Sequence, residues 1–368
     1  MPNRSSQVVP AMTLTTTTDS QSSAFVTNVV SPPTHDAWQA VVDSDDRALV
    51  TQTPLWTAAM VETGTFLDRS RMYEFDDGRR FVLPLARRRG AAGAVLGDQG
   101  FPNGWGIGGL VGPGLDANVV KAVFAELAQS GVSRVQIRPN PLDGEAYHHG
   151  APTNSVALYR RAHVIDLRGG TDDVWRRFSK AARRGVRKGE KAGLDIEEGH
   201  GEHLVREYYA LHLKSVERWA AQQHEPLPLA KFRAERRDGL AKWITIARVL
   251  GPQCRVSVAR LNGRPVGAAV VLCGPNGHET RSAFDRDLIN GSDPTYVLTW
   301  LGICESVRQG AEWYHLGETG TSARLADFKE RFAAVGYDYA DYRLERFPVT
   351  RADKVVRGVV KRAIRFKD

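Results

Sequence analysis

The sequence predicts an α+β protein built from two related domains, each with helices laid over a mixed, mostly antiparallel sheet. The order hairpin, helix, strand occurs twice along the chain. The two copies align through Asp77-Gly78-Arg79 with Asn262-Gly263-Arg264, and through 126–131 with 305–310. A length of 368 residues accommodates two ordinary domains, and the repeat is too long for a solenoid.

Residues 1–33, with TLTTTTDSQSS at their centre and Pro32-Pro33 at their end, read as a disordered tail, because they bury too little apolar surface to offset chain entropy. Amphipathic helices follow around 37–42 and 55–63. Strands at 71–75 and 80–85 are joined through Asp77-Gly78, a preferred two-residue hairpin turn. A helix at 117–129 stops at Gly131, and a strand at 134–138 ends at Pro139. In the second copy, strands at 255–261 and 265–272 are joined through Asn262-Gly263. A strand at 279–284, a polar loop, a helix at 296–308, a stop at Gly310 and a strand at 312–316 complete it.

Between the copies, 172–191 reads as one helix capped by Thr171 or Asp172 and ended by Gly193. Val174, Phe178, Ala182 and Val186 recur at every fourth position. Arg183, Arg184, Arg187, Lys188 and Lys191 belong to a cationic arc on the opposite side, where Glu190 is the one acid. Such a row gains free energy by releasing the counterions of a phosphate backbone, so these five residues are the candidate RNA contacts. A last helix at 351–367 is apolar on one side and basic on the other, which suits docking, tRNA or a membrane surface.

The formal net charge of +8 points to an anionic partner: nucleic acid, a phosphorylated metabolite or a lipid head group. Cys254, Cys273 and Cys304 lack C-x-x-C spacing, which argues against a zinc site and a disulfide framework and favours buried thiols in a reducing compartment. No apolar run reaches bilayer length and no h-region opens the chain, so a cytoplasmic location is expected. The glycine-rich 104–114 segment matches neither G-x-G-x-x-G nor G-K-[ST] and reads as a strand edge and turn. His212, His148 and His149 have no partner at a motif spacing and read as core or surface histidines. Asp285 and Asp287, two apart at a strand end, suit proton acceptance or pairing with Arg286 and Arg281, pairing being the simpler role.

The stretch 312–332 holds the sharpest chemical signal. Trp313 to Leu316 read as a buried strand, Gly317 to Ser322 as a polar turn, and 324–332 as a helix with Leu325, Phe328 and Phe332 on one face. Lys329, a turn into that helix, is a partly exposed ammonium beside an aromatic wall, at a place suited to an anionic or carbonyl oxygen.

Several stretches then resemble one family: QTPLWTAA, HVIDLRGGTDDVWRRFSKAARRGVRKGEKAGL, ARLNGRPVGAAVVL, and PTYVLTWLGICESVRQGAEWYHLG running into LADFKERF. They are similar to the FemAB/FemX group and its relatives, acyltransferases with a BioF2-like domain, and the resemblance covers 52–347. It implies two tandem GNAT-like (acyl-CoA N-acyltransferase fold) domains, at 34–155 and, BioF2-like, at 156–347, with the basic helix at 348–368 behind them. The implied reaction moves an amino acid from aminoacyl-tRNA to an amine, on a peptidoglycan precursor or on a small molecule such as an antibiotic intermediate. The family's Phe-Lys pair maps onto Phe328 and Lys329, its Lys steadying the developing oxyanion. Arg324, Thr319, Thr321, Glu318, Tyr296, Asp285 and Asp287 are the candidate substrate-binding residues. The chain looks like the short form, without a helical arm. It has Arg324 near a position often occupied by Gly, and Ala333 where Gly follows the last Phe.

An aminoacyl ester is already activated, so one ammonium near its carbonyl suffices, and neither metal nor cofactor is expected. Acetyl-CoA or another acyl-CoA is the alternative donor, although FDRDLINGSDPTYVL lacks the Q/R-x-x-G-x-G/A loop that would cradle a pyrophosphate. The third reading is a catalytically silent RNA- or membrane-binding relative, against which the Phe-Lys pair speaks.

Overall fold

The computed structural model describes residues 24–351, except 290, together with residue 358. Seven strands come from the first half: β1 (Val26–Val30), β2 (Phe66–Asp68), β3 (Arg71–Phe75), β4 (Arg80–Leu83), β5 (Ala86–Arg88), β6 (Asp98–Gly100) and β7 (Arg134–Ile137). Then come β8 (Val156–Asp166), β9 (Asp195–Gly199), β10 (Cys254–Leu261), β11 (Arg264–Leu272), β12 (Gly277–Phe284), β13 (Trp313–Glu318) and β14 (Val335–Glu345). Eleven of them form one sheet in the order β2-β5-β6-β7-β14-β8-β13-β12-β11-β10-β9, and β1-β3-β4 form a small second sheet.

The duplication is visible in the strand order. Towards the centre, β2-β5-β6-β7 pair antiparallel, antiparallel and parallel, and β10-β11-β12-β13 repeat that sequence. Helix Ala117–Gln129 precedes β7 as helix Pro294–Arg308 precedes β13. Each helix is followed by a left-handed glycine, Gly131 at φ +81° and Gly310 at φ +84°, where a side chain would be strained. At the centre the final strands change sides. β8, which follows β7 in the chain, lies against β13, whereas β14, which follows β13, lies against β7, and β8 and β14 pair with each other. The sequence-based 156–347 unit therefore contains a strand, β14, that completes the sheet of the first half.

Side chains alternating along the strands feed two faces. Val256, Val258, Ala268 and Val270 pack with helices Glu202–Gln223 and Leu240–Leu250. Val271 and Cys273 face the opposite way, with Val174, Ala182 and Ile303 from helices Gly170–Arg177, Lys180–Lys191 and Pro294–Arg308 and Phe178 from between the first two. Cys254 and Cys273 are buried free thiols, and burial pushes them up to about 12 and about 11. No helix among the described residues is long and apolar enough to cross a membrane.

Three local expectations are corrected. The tail reading fails for Val26–Val30, which pairs with β3 and sets Val26 and Val29 against the first-half core; averaging composition over 1–33 hid this VTNVV run. The first hairpin closes through Asp76, Asp77 and Gly78, since Phe75 N–H donates to Arg79 O and Gly78 alone of the three has positive φ. Asn262 and Gly263 are both left-handed, as a two-residue turn requires. The 172–191 helix is two helices, because Phe178 is extended and Ser179 caps the second by accepting from Ala182 N–H. Most of the basic helix expected at 348–368 lies outside the described residues.

Candidate active site

β12 and β13 are parallel neighbours paired at Gly277–Tyr314 and His278–His315, and they part at Glu279 and Leu316. Parted parallel strands leave backbone groups free to meet a ligand. In the first half the equivalent opening is closed by backbone: Arg138 N–H donates to Gly100 O, and Gly108 N–H donates to Arg138 O, both at 2.9 Å. The open copy is where Lys329 sits. It is 5% exposed, and its Nζ donates to Gly317 O at 2.8 Å, Glu318 O at 2.9 Å and Thr319 Oγ1 at 3.2 Å. Burial pushes the ammonium down to about 8, against the pull of the Glu279 and Glu318 carboxylates. The partly exposed lysine expected from sequence is thus a buried cation with all three N–H groups used.

Thr319 Oγ1 also lies 2.7 Å from His163 Nδ1, on β8, and His163 Nε2 lies 3.4 Å from Glu330 Oε1. His163 is fully buried, which lowers its affinity for a second proton. Glu279, at the strand parting, accepts from Tyr314 O–H at 3.3 Å, and burial raises its pKa.

Helix Ala323–Glu330 is held by Ser322, whose side chain accepts from Leu325 N–H. Phe328 packs edge-on to Tyr296 and Phe332, with centroids 5.2 and 5.3 Å apart. Leu325, expected beside them, is 38% exposed and leaves this face. Ala333 follows in the left-handed region at φ +59°, so the position keeps the backbone that a glycine adopts freely. Ala333→Gly is therefore expected to stabilise the chain by about 0.5–1 kcal/mol, seen as a higher urea midpoint at unchanged slope.

The cationic helix lies next to this wall. Ser179 N–H donates to Arg331 O at 2.9 Å, and Arg331 Nη1 donates to Tyr296 O–H at 3.2 Å. Gly185 rests on the Tyr296 ring, where an added Cβ would come within 2.6 Å. Arg184, Arg187, Lys188 and Lys191 are exposed. Lys188 pairs with Asp293 at 3.2 Å and Arg187 lies over the Trp175 ring. Among the described residues, Arg184 and Lys191 have no carboxylate partner. Arg183 differs, since its Nη1 caps the preceding helix by donating to Arg176 O at 2.9 Å.

A cavity of about 290 Å³ opens between the halves, lined by Trp56, Gly104, Arg138, His278, Arg281 and Gly317 among others. Glu318 lines it too, and its backbone carbonyl accepts from Lys329. Buried Asp238 receives Arg237, Lys242 and Arg281 at 2.7, 3.0 and 2.8 Å, which holds its carboxyl far below the usual range. Three cations around one carboxylate leave this wall net positive, fit for an anionic ligand.

Of the sequence-derived candidates, the structure gathers Lys329, Phe328, Thr319, Glu318 and Tyr296. The Glu318 side chain is engaged by Arg160 at 2.6 Å. Arg324 and Thr321 are exposed at the mouth of the turn. Asp285 accepts from Asp287 N–H in a tight turn, and among the described residues neither carboxylate contacts the Lys329 group. Arg281, expected to pair with these aspartates, pairs with Asp238 because β12 turns it towards helix Leu227–Asp238. His212 is a core residue, with burial pushing it down to about 4. His163, Glu279 and Asp238 were missed. His163 and Glu279 meet partners 156 and 35 residues away, and Asp238, at the end of a charged run, owes its place to Arg281, 43 residues on.

Residues 176–330 match the acetyltransferase (GNAT) domain family. No curated protein sequence matches significantly. The fold is similar to that of the crystal structure of FemX, with a TM-score of 0.59 at 11% identity over 86% of this chain and 96% of that one. The C-terminal domain (DUF2156) of a putative lysylphosphatidylglycerol synthetase from Agrobacterium fabrum also aligns, with a TM-score of 0.47 at 14% identity over 89% of this chain and 96% of that one. A tandem GNAT protein from the clavulanic acid biosynthesis pathway aligns with a TM-score of 0.43 at 13% identity, covering 86% of this chain and 98% of that one. Residues 176–330 thus match the acetyltransferase (GNAT) domain family, and the chain as a whole has a tandem GNAT-like fold shared with FemX.

Proposed function

We propose that the chain is a transferase that forms an amide by moving an aminoacyl group from aminoacyl-tRNA to an amine. The observation that carries this reading is the buried Lys329 ammonium at the parting of β12 and β13, next to an exposed cationic helix. The ester is activated before it arrives, so the protein has to orient the amine and hold negative charge on the carbonyl oxygen as that carbon becomes tetrahedral. Lys329 is the donor for that oxygen. The nitrogen's proton leaves with the departing ribose oxygen, and no metal or cofactor enters. The acceptor enters from the cavity between the halves, whose arginines suit an anionic peptidoglycan precursor or a phosphorylated or carboxylated small molecule.

Two readings compete. The acetyltransferase domain match favours an acyl-CoA donor, and the cationic helix would equally serve a silent RNA-binding relative. Purified chain incubated with candidate amines and either a charged tRNA pool or acetyl-CoA decides among them. Loss of aminoacyl-tRNA ester is the expected result. Consumption of acetyl-CoA alone would replace the donor, and consumption of neither would favour the silent relative.

The RNA face makes a separate prediction. Arg184, Arg187 and Lys191 are exposed, so replacing all three by Ala is expected to weaken tRNA binding and flatten its salt dependence by up to about three counterions. Arg183 is left in place because it caps a helix. An unchanged slope in filter binding between low and moderate salt would make this face plain solvated surface.

A further inference from the structure

The lysine at the strand parting has no N–H to spare for a substrate. Its three acceptors are two backbone carbonyls, fixed at the end of β13, and the Thr319 hydroxyl, which is the longest of the three bonds at 3.2 Å. An oxyanion has to displace one of them, and the side-chain hydroxyl is the one able to turn away. Thr319 is itself held. Glu330 offers an acceptor oxygen to His163 Nε2, so that nitrogen carries the hydrogen. His163 Nδ1 is then a bare lone pair, and at 2.7 Å it takes the Thr319 O–H. The Thr319 oxygen is thereby left with its lone pairs turned towards Lys329.

We propose that Thr319 is a placeholder for the oxyanion, holding the third N–H of Lys329 until the substrate carbonyl takes it, and that His163, backed by Glu330, orients Thr319 for this role. Thr319 and His163 are positioning residues that act through Lys329. The proposal rests on the reading of Lys329 as the oxyanion donor, but its central element, control of the lysine's charge, is measurable without any substrate.

The groups acting on His163 are few. Lys329 and Glu330 face it from the helix and Arg161 from its own strand. On β14 its partner Gly336 is uncharged, and Asp338 is taken up by Arg161 at 3.7 Å. On β13 the Glu318 carboxylate is held by Arg160. Removing the Thr319 acceptor leaves one buried N–H of the ammonium without a partner, which disfavours the charged form.

The test is a pH titration of the full chain carrying 13Cε-lysine, with the Lys329 resonance assigned by its loss in Lys329→Arg. Thr319→Val is expected to lower the Lys329 midpoint by about one pH unit or more. His163→Ala is expected to lower it by less, while Thr319→Ser and His163→Gln, which keep an acceptor in place, stay near wild type. With substrate, the alkaline limb of turnover should fall by the same amount in Thr319→Val. A Lys329 midpoint that stays put in both Thr319→Val and His163→Ala would overturn the proposal. Shifted midpoints with no donor consumed would instead sustain the arrangement and remove the reaction assigned to it.

Discussion

Replacing Lys329 by Met is expected to lower turnover by about 100-fold or more, the usual scale for losing one oxyanion partner. Single-turnover transfer from charged tRNA, with tRNA affinity measured alongside, separates this loss from a binding defect. Lys329→Arg should also be poor, because a planar guanidinium does not place its charge at the same point or fit the same three acceptors. Burial of the ammonium adds a cost in stability. Without it, Gly317 O, Glu318 O and Thr319 Oγ1 lose their donor, a loss of about 1–3 kcal/mol per stranded buried acceptor, partly offset because a buried charge is removed. The sign with pH is definite. The folded lysine releases its proton at about 8 against the ordinary value of 10.5, so between these two values the unfolded chain binds the extra proton. Wild-type stability therefore rises from pH 8 to 10.5 by a contribution that Lys329→Met lacks, while activity dependent on the ammonium falls above about pH 8.

Asp341→Ala is expected to cost about 3–5 kcal/mol, the scale for stripping the partner from buried charges. Its carboxylate is fully buried on β14 and receives Arg138, the residue after β7, at 3.0 and 3.1 Å and Arg160 from β8 at 2.8 Å. Two guanidiniums would be left with no compensating charge at the junction of the halves, apart from the Glu318 contact to Arg160. A urea midpoint shift below about 1 kcal/mol equivalent would mean that water enters the junction. Activity should fall as well, because Arg160 steadies Glu318, whose carbonyl holds Lys329.

Much of the fold was legible from local pattern. The 117–129 helix was read with its observed bounds and its stop at Gly131, where the structure adds Asp116 as the cap, and the Asn262-Gly263 hairpin announced itself by turn chemistry. The break at Phe178-Ser179 was also legible in principle, since Ser179 is a good cap, but continuous apolar spacing through it masked the signal. The exchange of β8 and β14 was not legible, because which neighbour an isolated apolar strand chooses depends on the whole sheet. At the site, Lys329 and Phe328 stood out through the family resemblance. His163 did not, because one histidine in the alternating run around β8 looks like any core position until the chain brings Thr319 to it across 156 residues.

The exchanged strands have a mechanical consequence. Two lobes joined by a linker open and shut as rigid bodies about a few loose residues, whereas here backbone hydrogen bonds run without interruption from β2 to β9. A plane of bending between the halves would have to tear the β8–β14 ladder, the longest among the described residues, with nine residue pairs. Pairing that is continuous across the seam makes hinge rotation of one half against the other costly. Whatever enters the cavity at the seam is then admitted by side chains and by the 102–107 segment at its rim, while Gly317 and Glu318, which line the same cavity, stay tied to Lys329.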